Sequence, residues 1–425
     1  MKRELYSELR TIYETTDADP HTFRITIKLK DIVDGGLLRS AVDLTMKRYP
    51  YFCVRLCAEE GELFFEDNPA PVPVLHSKER TVLGSEELDG HLLAFSYWKN
   101  RLYLDAYHGL TDGGGIDPLI RTLLYYYLTS FYETELSTER IRLSDSPVSS
   151  DEWEDPARHE IPAGERLLPK WNQDGFQLED GGIVHLMPDS VVYNIRIPED
   201  EFMRFNISND GSPAAIAALL LAETIDALHP EAGAPPVIAM CVNQRKALQA
   251  PAAHQSLVGD VRLPYIRRMR HLPFSTRTTC FRGMVTIQTD SDMILEDIRE
   301  YQELVRYLKT LETYSERKAY CTEQMRRLSG CITAIVSYVG KAGFGDLEQY
   351  IQEYEALPST ALPSMHVPLT IEMSALHGYF FLNFIQYFAE DDYVSMFIRK
   401  LRENNITYDV LNEAQARFPR VELPI

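Results

Sequence analysis

Residues able to do chemistry gather in the stretch DAYHGLTDGG, residues 105 to 114, where His108 precedes Asp112 by four positions and Gly113, Gly114 and Gly115 follow. An imidazole, with an unperturbed pKa of about 6.5, can take up and return a proton at neutral pH, as a general base must. The competing reading is a histidine that caps a polar turn. An H-x-x-x-D-G pattern is expected by chance about 0.04 times in a chain with this many His, Asp and Gly residues. The glycines tolerate φ > 0 and close approach of a substrate, or they simply begin a helix. A His-x-x-x-Asp pair lacks the third ligand that zinc requires, so no metal site is expected.

The elements around this stretch place it in a strand-to-helix turn. Leu102 to Tyr107 reads as a strand, and Leu119, Ile120, Leu123, Leu124, Tyr127, Leu128 and Phe131 trace one apolar face of a helix from about Ile116 to Tyr132. Upstream, FRITIKLK (23–30) alternates as a half-buried strand does, and a helix capped by Asp34 follows it, ending in Lys47 and Arg48 before Pro50. Further strands fit 53–56, 63–66 and 92–98. Residues 137–190, rich in Ser, Asp, Glu and Pro, read as a connector or surface excursion.

Periodicity then resumes with a strand at 191–197, a helix from Pro213 capped by Ser212, and a buried strand at 237–242 ending in NQRKA. Helices at 294–308 and 315–328, strands at 332–339 and 379–385, and a helix at 391–402 complete a second half that echoes the first. A mixed α/β chain of two domains is the economical reading, with boundaries at 1–188, including the 138–188 connector, and 189–425.

The formal charge of −20 works against general binding to nucleic acid or anionic membrane surfaces. The amino terminus mixes acids and bases without the apolar run of a signal peptide, and no apolar stretch approaches the ~20 residues of a membrane span. A soluble cytoplasmic monomer is expected. Cys53, Cys57, Cys241, Cys280, Cys321 and Cys331 are scattered and read as buried free thiols. His366 and His377 lie in apolar segments and read as core or pocket residues.

H-x-x-x-D-G between strand and helix resembles the active-site motif of the chloramphenicol-acetyltransferase-like superfamily. That group includes condensation domains of nonribosomal peptide synthetases, alcohol acetyltransferases and polyketide-associated acyltransferases. LLRSAVDLTMKRYPYF (37–52) resembles the first helix of those domains, VNQRKA (242–247) a strand end that carries an arginine, and VSYVG (336–340) a Ser/Asn-x-x-Gly turn. The resemblance implies two such α/β domains, each a mixed sheet with flanking helices, forming a pseudo-dimer around a central tunnel.

It also implies roles. His108 is the base in acyl transfer from a thioester to an alcohol; Asp112 is structural and pairs with Arg245, beside Gly113; Ser337 and Tyr338 are oxyanion or pocket candidates, against an ordinary turn. The implied donor is acyl-CoA or a phosphopantetheine-linked acyl carrier protein, as cosubstrate rather than bound cofactor, and the acceptor is a small-molecule alcohol. Arg262, Arg267, Arg268 and Arg270, continuing to Arg277 and Arg282, form an arginine-rich segment that either receives donor phosphates or an acidic carrier, or is a solvated surface balancing nearby acids. Many relatives carry a second histidine where this chain has Tyr107, which favours a hydroxyl acceptor. An amide-forming condensation enzyme and a non-catalytic condensation-like binding module are the alternatives.

Overall fold

The computed structural model describes residues 2–59, 61–161, 169–179, 183–359 and 367–424; His366 and parts of the 138–188 connector lie outside them. Two large sheets dominate. The five-stranded sheet runs in the order Ile351–Pro358, Thr22–Leu29, Arg101–Tyr107, Leu93–Trp98, Val74–His76. The seven-stranded sheet runs Val258–Pro264, Val237–Asn243, Ala334–Lys341, Leu369–Leu376, Tyr379–Phe388, Leu186–Pro198, Asp409–Ala416. Both mix parallel and antiparallel pairs. A small three-stranded sheet stands at the amino terminus.

The strand Thr22–Leu29 is buried along nearly its whole length, more than its alternation predicts. Its polar positions are covered because Arg24 is neutralised there: its guanidinium donates to both oxygens of Asp105 at 2.7 and 2.6 Å. On the far side of the same strand, Ile351–Pro358 pairs antiparallel, with Ala356 opposite Ile25. A strand from late in the chain thus completes the sheet built by the first hundred residues, which ties the two halves through backbone hydrogen bonds.

The helix Gly35–Arg48 starts where Asp34 accepts from the N–H groups of Gly36 and Leu37, satisfying two donors that have no partner within the helix. It packs beside the helix Gly113–Tyr132 on one apolar core. The second core lies around Pro213–Leu228, a helix buried on nearly every side. Pro213 takes its first position, but the Ser212 side chain makes no cap hydrogen bond. Among the described residues no single helix is long and apolar enough to cross a membrane.

The connector is more than a surface excursion. Its short helix Ser150–Trp153 buries Glu152, which accepts from both terminal nitrogens of Arg48 at 2.9 and 2.7 Å, from Arg142 at 2.8 Å and from the Tyr51 hydroxyl at 3.0 Å. The basic residue that ends the Gly35–Arg48 helix is therefore an anchor for the connector. Of the cysteines, Cys321 and Cys331 are buried, Cys53, Cys57 and Cys241 are half-buried, and Cys280 is exposed, against the expectation for that thiol.

Candidate active site

The strand Arg101–Tyr107 ends at His108, and the helix Gly113–Tyr132 begins five residues later, three positions before the sequence periodicity shows it. The Tyr107 hydroxyl is shared with Thr15 Oγ1 at 2.7 Å in the amino-terminal core, so that side chain is committed to packing. The next side chain, His108, is half-buried, its ring 4.6 Å from that of Phe23. Its backbone N–H donates to the His21 carbonyl at 2.7 Å.

Burial pushes the His108 imidazole down to about 4, and His21 adds to that shift; Asp112 and a hydrogen bond with the Thr111 backbone oppose it. At neutral pH the ring is uncharged and holds a lone pair, the state in which it can accept a proton.

Asp112 is turned to a different task. It caps the helix by accepting from Gly115 N–H at 2.8 Å. Its two oxygens accept from Arg245 at 2.7 and 3.0 Å, and one of them also accepts from Leu257 N–H at 2.8 Å. Arg245 completes its donors on the carbonyls of Ala253 (2.8 Å) and Gln255 (2.6 Å). Both residues are buried, at 1% and 5% exposure. A planar guanidinium and a carboxylate meeting in this two-bond geometry fix relative orientation as well as distance. The pair joins the turn after the first sheet to the end of the Val237–Asn243 strand in the second sheet.

Gly113, Gly114 and Gly115 all keep negative φ and form the first turn of the helix. The close approach at this turn is made by the protein itself. A Cβ on Gly115 would collide with the His254 carbonyl oxygen and with Thr111 Oγ1, whereas one on Gly113 would only touch Val339. Thr111 Oγ1 donates to that same His254 carbonyl at 2.6 Å. Residues 253–257 thus lie across the turn like a clasp, and Gly115 is the glycine whose missing side chain lets them approach.

Ser337 and Tyr338 lie within the strand Ala334–Lys341, whose register breaks between Tyr338 and Lys341 with Gly340 at φ 89°. The Ser337 hydroxyl donates to Glu372 at 3.2 Å, and burial pushes the Glu372 carboxyl up to about 8. Tyr338 packs toward Phe380.

The arginine-rich segment is held by acids. Arg262 pairs with Asp260, Arg270 with Asp226, Arg277 with Glu223 and Arg282 with Asp210, at 2.6 to 3.1 Å. Arg267 donates to the Ala232 carbonyl. Four of the six arginines therefore already carry a carboxylate; Arg282 and Asp210 meet at the surface, whereas Arg262 and Glu223 are buried. His377 is an exposed turn residue at φ 50°, with Nε2 2.6 Å from the Ile351 carbonyl.

Sequence reading missed His21. It has φ 46°, a conformation unusual outside glycine, and its ring lies 3.2 Å from Asp19. Burial holds its pKa below the ordinary value, with Glu14 opposing. Nothing in the local sequence signals this placement, because His21 reaches His108 only through the pairing of Thr22–Leu29 with Arg101–Tyr107.

No protein-family model matches the chain, and no curated protein sequence matches it. Solved structures do match. The first condensation domain of the CDA synthetase aligns over 97% of this chain and 99% of its own, with TM-score 0.62 and 12% identity. Polyketide synthase associated protein 5 from Mycobacterium tuberculosis aligns over 94% and 96%, with TM-score 0.60 and 13% identity. F. sporotrichioides TRI101, complexed with coenzyme A and T-2, aligns over 97% and 100%, with TM-score 0.57 and 12% identity. The chain has the chloramphenicol-acetyltransferase-like fold, the one these condensation domains and acetyltransferases share. Its nearly complete coverage of such chains makes that a statement about the whole described molecule.

Proposed function

We propose that the protein is an acyltransferase that moves an acyl group from a coenzyme A or carrier-protein thioester to an alcohol, with His108 as general base. The observation that carries this reading is an uncharged, partly open imidazole at a turn that the buried Asp112–Arg245 pair fastens to the opposite sheet. In this reading the two halves, 1–188 and 189–425, meet at a tunnel, and donor and acceptor reach His108 from opposite sides. His108 takes the hydroxyl proton as the new carbon–oxygen bond forms. It returns that proton to the departing thiolate as the carbon–sulfur bond breaks, so no net proton is exchanged with solvent. Asp112 is kept from the chemistry by its four hydrogen bonds and acts as a positioning residue.

The test is thiol release from a panel of acyl thioesters, followed with DTNB in the presence of alcohols. Replacing His108 by Ala is expected to lower the rate about 10²–10⁴-fold with the fold retained; full activity in that variant would overturn the proposal. The acid limb of the rate should lie near pH 4, below the usual histidine range. His108 loses its lone pair only as pH falls through its depressed pKa, so a limb at the ordinary histidine pKa contradicts His108 as the base. Similarity to condensation domains supports a second reading, amide formation on carrier-bound substrates. Comparing amine and alcohol acceptors of equal length separates the two.

A further inference from the structure

Tyr6, Ser7 and Glu8, just ahead of the short helix Leu9–Glu14, fasten the amino terminus to two remote elements. Asp155 of the connector accepts from the Ser7 N–H, the Ser7 hydroxyl and the Ala157 N–H, each at 2.9 Å. The Tyr301 hydroxyl, on the helix Ser291–Leu308, donates to the Tyr6 carbonyl at 2.5 Å, and Gln302 donates to the Ala157 carbonyl at 2.7 Å. Ala157, Ile294 and Ile298 form a small apolar core with Tyr6 packed against it. Ser7, Ala157 and Tyr301 also stand in the wall of a cavity of about 1000 Å³, which Tyr320 of the helix Tyr314–Ser329 and Asp260 of the strand Val258–Pro264 help to line. This clasp therefore forms one edge of the cavity.

Two carboxyl groups are closed inside the clasp. Glu8 and Asp155 are 7% and 8% exposed. Glu8 accepts from the Tyr6 N–H at 2.8 Å, so among the described residues the hydrogen bonds to both carboxyls come from neutral donors. Arg158, on the connector, is paired with Glu4 at 3.0 Å, and Arg10, on the following helix, with Glu14 at 2.8 Å. From the helix Ser291–Leu308 the titratable group that feels Glu8 is the Tyr301 hydroxyl. Two carboxylates shut away from water together, with no cation between them, repel each other and lose hydration, so the closed clasp favours a proton on one of them. Burial and the neighbouring Asp155 push Glu8 up to about 7, with backbone N–H groups and Arg158 opposing.

We propose that this clasp is a proton-dependent latch on the cavity: it stays shut while Glu8 is protonated and loosens once Glu8 and Asp155 are both ionised. The sign follows from linkage. In the open clasp Glu8 meets water and returns to an ordinary carboxylate pKa of about 4.5, so the closed form holds the proton more tightly. Closure is fully favoured below the open-state value and weakens as pH rises through about 7. With these two values the ratio of open to closed clasp rises about tenfold between pH 6 and pH 8. The latch does not depend on the acyl-transfer reading.

Hydrogen exchange followed by mass spectrometry on the full chain tests it. Glu8→Gln keeps an acceptor for the Tyr6 N–H but cannot ionise. Exchange of residues 4–14, divided by exchange of the same amides in Glu8→Gln at the same pH, cancels the intrinsic pH dependence of the reaction. That ratio should rise about tenfold from pH 6 to pH 8, while the ratio for the helix Pro213–Leu228 stays constant. In Asp155→Asn the repulsion is gone, and the rise should move to lower pH; this variant, compared with the wild type, carries the test if Glu8→Gln does not fold. A ratio that is constant over the range, or that rises equally in the helix Pro213–Leu228, would overturn the latch. Thiol release plays no part in the measurement, so the latch and the acyl-transfer reading can each fail without the other.

Discussion

Asp112–Arg245 and Arg282–Asp210 are both arginine–aspartate pairs with a shortest separation of 2.7 and 2.6 Å, yet they do different work. The first is nearly closed to solvent and adds two backbone donors to its carboxylate. The second has both side chains about half exposed. Distance alone does not separate them; solvent does. A buried charge that loses its partner cannot fall back on water, while an exposed one can. The arginine-rich segment spans the same contrast within itself, from Arg277–Glu223, largely covered, to Arg282–Asp210 at the surface.

This comparison can be broken at three points, in order of expected effect. Asp112→Ala leaves Arg245 buried without its anion and should cost about 3–5 kcal/mol in urea-induced unfolding. A loss below about 1 kcal/mol would mean that the pair is not the anchor described here. Gly115→Ala drives a methyl group into the His254 carbonyl, and overpacking of this kind costs about 1–3 kcal/mol. The same urea-induced unfolding of Gly113→Ala should show the smaller change, since its Cβ meets only Val339 at ordinary contact distance. Arg282→Ala should change stability by less than about 1 kcal/mol, the usual range for exposed pairs. Equal losses in Asp112→Ala and Arg282→Ala would erase the distinction drawn from burial.

Several elements are legible in the amino-acid sequence alone. Alternation in FRITIKLK marks a strand, the Asp34 cap and the Lys47–Arg48 end frame a helix, and the apolar face of 119–131 marks the helix after the turn. These are local signals, written in residues a few positions apart. What they leave out is instructive. The strand Ile351–Pro358 and the strand Val258–Pro264 lack strong alternation, and each is made a strand by the partner it pairs with. The polar side of Thr22–Leu29 reads as solvated because its neutraliser, Asp105, lies 81 residues away.

The site divides in the same way. His108 stands out in sequence because the motif that holds it is short and contiguous. Gly115 does not stand out from its two neighbours, since its need for a missing Cβ comes from His254, far along the chain. His21 is silent for the same reason.

By itself, then, the sequence determined the local frame: a strand, a histidine, a capped helix and an acidic overall balance. Hydrogen bonding along neighbouring residues and apolar periodicity suffice for that. Only the tertiary structure decided that His108 is half-buried with a lowered pKa, that Asp112 is occupied by Arg245 and two backbone donors, and that aromatic and acidic side chains from separate helices share one cavity wall. Those are properties of local dielectric and of distances between remote segments, which exist only once the two sheets have come together.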